Sequence, residues 1–232
     1  MTIESLRVLL LIAGCAVLWS LESIVPLYRG DRRLRRVLLN VGLTLFVLLT
    51  NLALSFLAAG AAGFATSRRP VWANVILGIV ALDLFAYFAH VLLHKMPFAW
   101  RFHRVHHSDE AVDVTTAFRQ HPVETVWRVL WQLPAIVLLG LPLEVVVIYV
   151  TISAANAQLE HANIRIPDAV DRWLRLFVVT PNMHKVHHSR LQPETDSNYS
   201  NIFSVWDRFF GTYTRRIDFT SLRYGLDDVV QH

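Results

Sequence analysis

"MHKVHHS", Met183 to Ser189, sets three histidines within five positions, and "FHRVHHS", Phe102 to Ser108, writes the same H-x-x-H-H-S arrangement earlier in the chain. Of the 11 histidines, ten lie between His90 and His188. Eight of these fall into three clusters: "HVLLH" (His90, His94), "HRVHH" (His103, His106, His107) and "HKVHH" (His184, His187, His188). One such match can be an accident, but two with the same spacing argue for a site. On a helix, positions i, i+3 and i+4 share a face. Each triplet, and the i, i+4 pair before them, can therefore aim its imidazoles into one space. Neutral imidazole binds zinc, copper, iron and nickel, and eight nitrogens exceed the needs of one four- to six-coordinate ion. Two metals are expected.

The chain around these clusters is membrane-like. It has 232 residues, 54% hydrophobic and 17% charged, against roughly 45–50% and 25% in an average soluble domain. Apolar runs long enough to cross a bilayer as a helix occur at about Leu6–Leu27, Val37–Ala65 and Val71–Leu93. The first contains "LIAGC", which resembles a lipoprotein cleavage box, yet the apolar run continues past it, so a retained anchor is expected. A fourth apolar region, about Pro122–Glu160, is broken by Pro134, Gly140 and Pro142. It reads either as one span over Val129–Ile152 or as a hairpin with arms of about Val123–Leu139 and Leu143–Gln158. If both triplets serve one site they must share a membrane face, which requires an even number of crossings, or a re-entrant pair, between them. The expected architecture is all-α: a polytopic membrane helix bundle with a cytoplasmic helical cap carrying a histidine-rich dimetal site. Residues 1–70 are expected to supply N-terminal transmembrane helices, 71–214 the catalytic domain and 215–232 a tail.

Lys and Arg accumulate in cytoplasmic loops. The first loop holds Arg29, Arg32, Arg33, Arg35 and Arg36, while the second has only Arg68 and Arg69. This puts the first loop, the histidine clusters and the C-terminus in the cytoplasm, as in a bacterial inner membrane protein. "NYS", Asn198 to Ser200, then lies on the wrong face for glycosylation. The net charge of +4 reflects flank charges of this kind. The basic residues lack the interleaved aromatics of a stacking surface, so no nucleic acid partner is expected. Cys15 is the only cysteine, which excludes an intramolecular disulfide and leaves histidine as the metal ligand.

Several single residues are further candidates. His161 ends the fourth apolar region on the face of the clusters and reads as a ligand. His121, before Pro122, reads equally as a ligand or as a hydrogen-bonding residue at a helix start. "HVLLH" invites comparison with the zinc protease pattern H-E-x-x-H, but Val91 replaces the glutamate that serves as general base there, which argues against hydrolysis. Asp83 lies seven residues before His90 near the same stripe, and an ionisable group within a span is a functional candidate by default. A buried hydrogen bond to a neighbouring helix is its plain alternative.

On these residues the sequence resembles the fatty acid hydroxylase/sterol desaturase superfamily of membrane diiron oxidases. The resemblance runs from about Asp83 to Tyr213. It rests on D-x-x-x-Y-x-x-H-x-x-x-H (Asp83, Tyr87, His90, His94), H-x-x-H-H-S, R-x-H-P-x-E (Arg119 to Glu124), "TPNMHKVHHS", "ETDSNYS" and "WDRFFGTY". It implies two iron ions and dioxygen as co-substrate, with hydroxylation or desaturation at an unactivated carbon of a lipid drawn from the bilayer. The ligands it implies are His90, His94, His103, His106, His107, His184, His187 and His188, with His161 as an additional histidine. Asp83, Arg119, Glu160 and Asp196 are expected around the site, the carboxylates because metal-bound histidines usually donate their other N–H to a carboxylate or carbonyl. Two departures stand out: "NYS" replaces a frequent N-Y-G at Ser200, and the absence of a fused electron-carrier domain implies a separate electron donor protein. A histidine-rich metal carrier or sensor is the alternative from another class. Against it, the polar groups gather at one face instead of crossing the membrane depth.

Overall fold

The computed structural model describes residues 3–28, 34–63, 67–219 and 221–226. Arg29, Arg32, Arg33 and His232 lie outside them. Among the described residues there are helices and isolated bridges but no strands. Four helices are long and apolar enough to cross a membrane: α1 (Ile3–Ile24), α2 (Leu34–Ala62), α3 (Val71–Lys95) and α6 (Leu143–His161). Between α3 and α6 come α4 (Pro97–His107), a 3-10 turn (Val114–Phe118) and α5 (Pro122–Leu139). After α6 come four short helices: α7 (Asp168–Leu174), α8 (Pro181–His187), α9 (Gln192–Thr195) and α10 (Val205–Phe209).

The fourth apolar region is a hairpin. Gly140 stops α5 in the left-handed conformation, with φ of 56°, which glycine adopts without steric cost, and Pro142 precedes α6. Two contacts set the hairpin's reach. Trp127 Nε1 donates to Ala89 O near the end of α3 (3.0 Å), and the Arg69 guanidinium, just before α3, donates to Leu139 O at the hairpin tip. The α5 helix therefore runs antiparallel to α3 over nearly its whole length, and α6 returns. Two antiparallel arms, α5 and α6, separate the triplets and bring both to one end of the bundle. Pro134 sits inside α5 without ending it.

Helix contact in this bundle rests on close packing, because lipid tails are as apolar as leucine and supply no hydrophobic drive between spans. Leu82, Ala86, Ala135, Ile136, Leu141, Val146, Tyr149 and Ile202 form the shared core of α3, α5, α6 and the loop before α10. At Gly78 a Cβ would stand 2.3 Å from Val145 Cγ1, so only glycine lets α3 and α6 approach this closely. The outer faces of α1 and α2 expose leucine, valine and phenylalanine along their length, including Leu10, Ile12, Leu45, Phe46, Leu49 and Phe56.

Buried polar contacts tie these outer helices to the helical cap. Glu22 in α1 accepts from Val114 N (2.7 Å) and Asn163 N (2.8 Å). In α2, Asn40 Nδ2 donates to Asp109 and to Thr115 Oγ1 at 3.0 Å each, and Arg36 pairs with Asp109 and Asp113. Arg36, counted from the sequence among the flank charges, is thus part of an internal ion pair.

Candidate metal centre

The structure answers why H-x-x-H-H is written twice. The histidines sort into two buried groups, and neither is a triplet. One holds His90, His94, His103, His107 and His187; the other holds His106, His161, His184 and His188, with the ligand atoms in each within 4.8 Å of one another. Each triplet sends its i, i+4 pair to one group and its i+3 histidine to the other. His103 and His107 join His187, while His184 and His188 join His106. The groups share a wall, where the His107 and His188 rings stack with centroids 4.6 Å apart. Local sequence presents these faces: Pro97 and Pro181 open α4 and α8 at their first positions, and the Thr180 hydroxyl accepts from Met183 N at the start of α8.

The ring nitrogens point consistently. His90 Nδ1 donates to Tyr199 O (2.8 Å), His187 Nδ1 to Ser197 O (2.7 Å), His106 Nδ1 to Arg119 O (3.2 Å) and His161 Nδ1 to Ala157 O (2.6 Å). A carbonyl only accepts, so each of these Nδ1 atoms carries the proton and each Nε2 presents a lone pair. Two more rings turn Nδ1 to carboxylates, His94 toward Asp196 Oδ1 at 3.5 Å and His103 toward Glu124 Oε2 at 3.0 Å, the latter without the alignment of a hydrogen bond. The inward Nε2 atoms then crowd. His161 Nε2 lies 3.0 Å from His106 Nε2, 3.1 Å from His188 Nε2 and 3.0 Å from His184 Nε2, and His90 Nε2 lies 3.1 Å from His103 Nε2. Nε2 of His94, His107 and His187 is buried with no hydrogen-bond partner.

Lone pairs aimed at one another repel, and a cation between them removes the conflict. Nitrogens held at about 2.1 Å from one first-row ion, at right angles or slightly more, are themselves about 3.0–3.2 Å apart. The residues present fit two metal ions. Burial reinforces this. It holds the imidazoles of His103, His107, His184, His187 and His188 well below their ordinary 6.5, and neighbouring imidazoles add to the effect. His106 is lowered to about 4, again mainly by burial. Neutral imidazole is the metal-binding form.

The remaining candidates divide. Burial works against ionisation of Asp196, but hydrogen bonds from His94 and Lys95 outweigh it and keep the carboxyl below its usual range. Glu160 is buried on Asn156 Nδ2 (3.1 Å), with its Oε1 3.8 Å from His184 Nε2 and 3.9 Å from His161 Nδ1, beyond hydrogen-bond reach. Arg119 touches the site through its carbonyl on His106, while its guanidinium clasps Val105 O, Ser108 Oγ and Asn40 Oδ1.

Two residues stand apart from the histidine groups. Asp83 accepts from Ile202 N, Phe203 N and Trp206 Nε1 at 3.0, 3.0 and 2.9 Å and from Asn201 Nδ2 at 3.3 Å, the plain alternative of a buried hydrogen-bonding group. His121 lies outside both groups; its Nδ1 accepts from Val123 N at the start of α5 and its ring packs on Phe102. The preceding-proline position that allowed either role is used as a helix cap.

Sequence reasoning assigned no role to Glu124, although R-x-H-P-x-E contains it. It is fully buried beside His103 and salt-bridged to Arg128 at 2.8 Å, and a glutamate in the first turn of a helix entering apolar surroundings was the available signal. Lys185, inside the second triplet, was missed as well. Its ammonium donates to Ala162 O (3.1 Å) and to His161 O, closing the end of α6. Burial lowers its pKa to about 7, with Glu22 and Asp113 opposing the shift. Asn198 of "NYS" is buried in the left-handed region (φ 55°), its amide donating to Met183 O and Thr214 O. Ser200 accepts from Asp207 N in α10.

The sequence profile described as fatty acid hydroxylase matches residues 75–212. The chain belongs to the fatty acid hydroxylase family. Among characterised relatives, it is 34% identical over 151 residues to the ornithine lipid hydroxylase OlsE of Rhizobium tropici, covering 65% of this chain and 44% of that protein. It is 30% identical over 150 residues to alkylglycerol monooxygenase of Danio rerio (65% and 32%), and 28% identical over 144 residues to the Homo sapiens enzyme of that name (61% and 30%). The match thus spans less than half the length of each of these relatives. No solved structure matches the chain.

Proposed function

We propose that this protein is an integral membrane diiron oxygenase that uses dioxygen to hydroxylate an unactivated carbon of a lipid. The observation that carries the reading is the arrangement of nine buried histidines in two adjoining groups, with protonated Nδ1 atoms turned outward and Nε2 lone pairs inward. His90, His94, His103, His107 and His187 would hold one iron, and His106, His161, His184 and His188 the other. Bound there, iron would activate dioxygen, the oxidant that breaking an aliphatic C–H bond requires and that no side chain can handle alone.

The chain's own residues do the rest. The carbonyls of Tyr199, Ser197, Arg119 and Ala157, with Asp196, fix ring orientation and tautomer, and the Glu124 carboxylate lies 3.0 Å from His103 Nδ1. Burial on all sides excludes water. Lys185 in α8 holds the end of α6 where the histidines of the two helices converge. The lipid is drawn from the bilayer with its chain in apolar surroundings, and electrons come from a separate donor protein. The family relatives named for action on ornithine lipids and alkylglycerols support a lipid substrate.

We also place the histidine groups and C-terminus in the cytoplasm. The cap carries Arg101, Arg104, Arg165, Arg172 and Arg190, whereas Arg68 and Arg69 flank the opposite end.

The test is to supply membranes with a reductant, an electron-transfer partner and isotopically labelled oxygen gas. One labelled oxygen atom in a lipid product is expected. A product lighter by two hydrogens and carrying no label would make the protein a desaturase; iron binding without either product would make it a carrier.

A further inference from the structure

The backbone after the second triplet does not stay level with the helix ends. Asp196 Oδ1 lies 3.5 Å from His94, Tyr199 O accepts from His90, and Ile202, Phe203 and Trp206 donate to Asp83. These partners descend α3 from position 94 to position 83, about 16 Å at 1.5 Å per residue. The far end of α3 is marked by Arg68, Arg69 and an exposed Trp72, residues that favour the membrane interface. From Val71, about 30 Å of hydrocarbon takes about 20 helical residues, reaching about His90. Asp83 and the backbone hung on it then lie about 10 Å inside the apolar layer.

A second segment is carried to the same depth. Val179 N donates to Ile202 O (2.9 Å) and Ser204 N to Phe177 O (3.2 Å). Irregular backbone is tolerated at such depth only where protein satisfies it, and here it is satisfied. The outward side chains are apolar: Phe177 is 68% and Phe209 77% exposed, with Leu176, Val205 and Phe210 also exposed. The cations next to or within these stretches turn inward, Arg175 onto Asp171 Oδ2 (2.9 Å) and Arg208 onto Ser204 O (3.0 Å) and over the Tyr213 ring, while Arg172 is exposed one turn earlier. A water-facing surface would show the reverse pattern.

We infer that residues 176–177 and 205–210 form a membrane-immersed wedge whose partner is the acyl chains of the leaflet on the histidine side. The wedge continues the lipid-facing surface of α3 and leads to the metal centre: Phe210 stacks on Tyr87 (5.2 Å), Tyr87 meets Tyr199 (6.4 Å), and Tyr199 meets the His94 ring (5.1 Å). The inference does not depend on the reaction catalysed.

Full-length Cys15→Ser protein carrying Phe177→Cys or Phe209→Cys, spin-labelled and reconstituted into phosphatidylcholine/phosphatidylglycerol vesicles, tests it by power saturation with oxygen and with chromium oxalate. Glu110→Cys in the cap gives the aqueous reference and Leu49→Cys in α2 the lipid reference. Both wedge labels should behave like Leu49→Cys, with oxygen collisions well above those of chromium oxalate. A label at either position matching Glu110→Cys, in protein that elutes and binds iron as the parent does, would overturn it. The four labelled positions are exposed, so substitution there leaves the packing intact.

Discussion

His161 and His106 meet Nε2 to Nε2 at 3.0 Å while each spends its Nδ1 proton on a backbone carbonyl. Neither ring can donate to the other, so the contact is an electrostatic conflict unless a cation lies between them. The same logic extends to His188 and His184 around His161.

Metal content should therefore follow the two groups and not the two triplets. Iron-reconstituted protein should approach two metals per chain; His107→Ala or His161→Ala should each lower this toward one. His121→Ala should leave it unchanged. Elemental analysis of the folded variants checks the assignment, and equal content in all of them would refute it.

Glu124 and His103 approach to 3.0 Å in a fully buried setting. Loss of such a partner typically weakens metal binding about 10–100-fold. Glu124→Ala should weaken iron at the group containing His103 by this amount, measured by competition with a chelator, and Glu124→Gln should recover part of it. Unchanged affinity in both would leave Glu124 as a partner of Arg128 alone.

The buried imidazoles of α4 and α8 are depressed below 6.5, which fixes the sign of the pH response. The unfolded chain takes up protons near 6.5 while the fold still resists them, so stability rises with pH in that window. In metal-free protein in detergent the histidine contribution to stability should be fully present above about pH 6.5. The protein should lose stability as pH falls toward about 4, where His106 also titrates. Thermal unfolding across that range measures it; a flat profile would contradict the burial.

Gly78 faces Val145 with no room for a methyl group. Overpacking of this kind costs about 1–3 kcal/mol. Gly78→Ala should lower the melting temperature in detergent and Gly78→Leu more so, while Gly42→Ala, where a Cβ meets nothing within 4 Å, should not.

Orientation is checked by cysteine labelling in intact cells in a Cys15→Ser background. Arg68→Cys should react with an impermeant reagent and Glu110→Cys should not. The opposite result would invert the placement of the histidine groups.

Much of this was legible in the sequence, because it rests on local chemistry. Apolar runs of sufficient length must be helical in a bilayer to satisfy their own backbone, so the first three spans fell within a few residues of their observed bounds. Three residues separate the observed start of α2 from the expected Val37, whereas the sequence left the fourth region open between one span and a hairpin, and the structure has the hairpin. Histidine spacing alone also pointed to a metal site.

Which histidine joins which group was decided only by tertiary structure. An H-x-x-H-H triplet presents three rings on one helical face, but the division between i, i+4 and i+3 arises because α4 and α8 confront each other, each filling the gap in the other's set. The same holds for the carboxylates. Asp83 lies on the histidine stripe of α3, yet it is claimed by backbone more than a hundred positions away, and Glu124, given no role from the sequence, reaches His103 because α5 starts at the end of the bundle where α4 lies. Local propensity determined the elements and the ligand type; long-range packing, which depends on where helices cross and not on their own sequence, determined the partners.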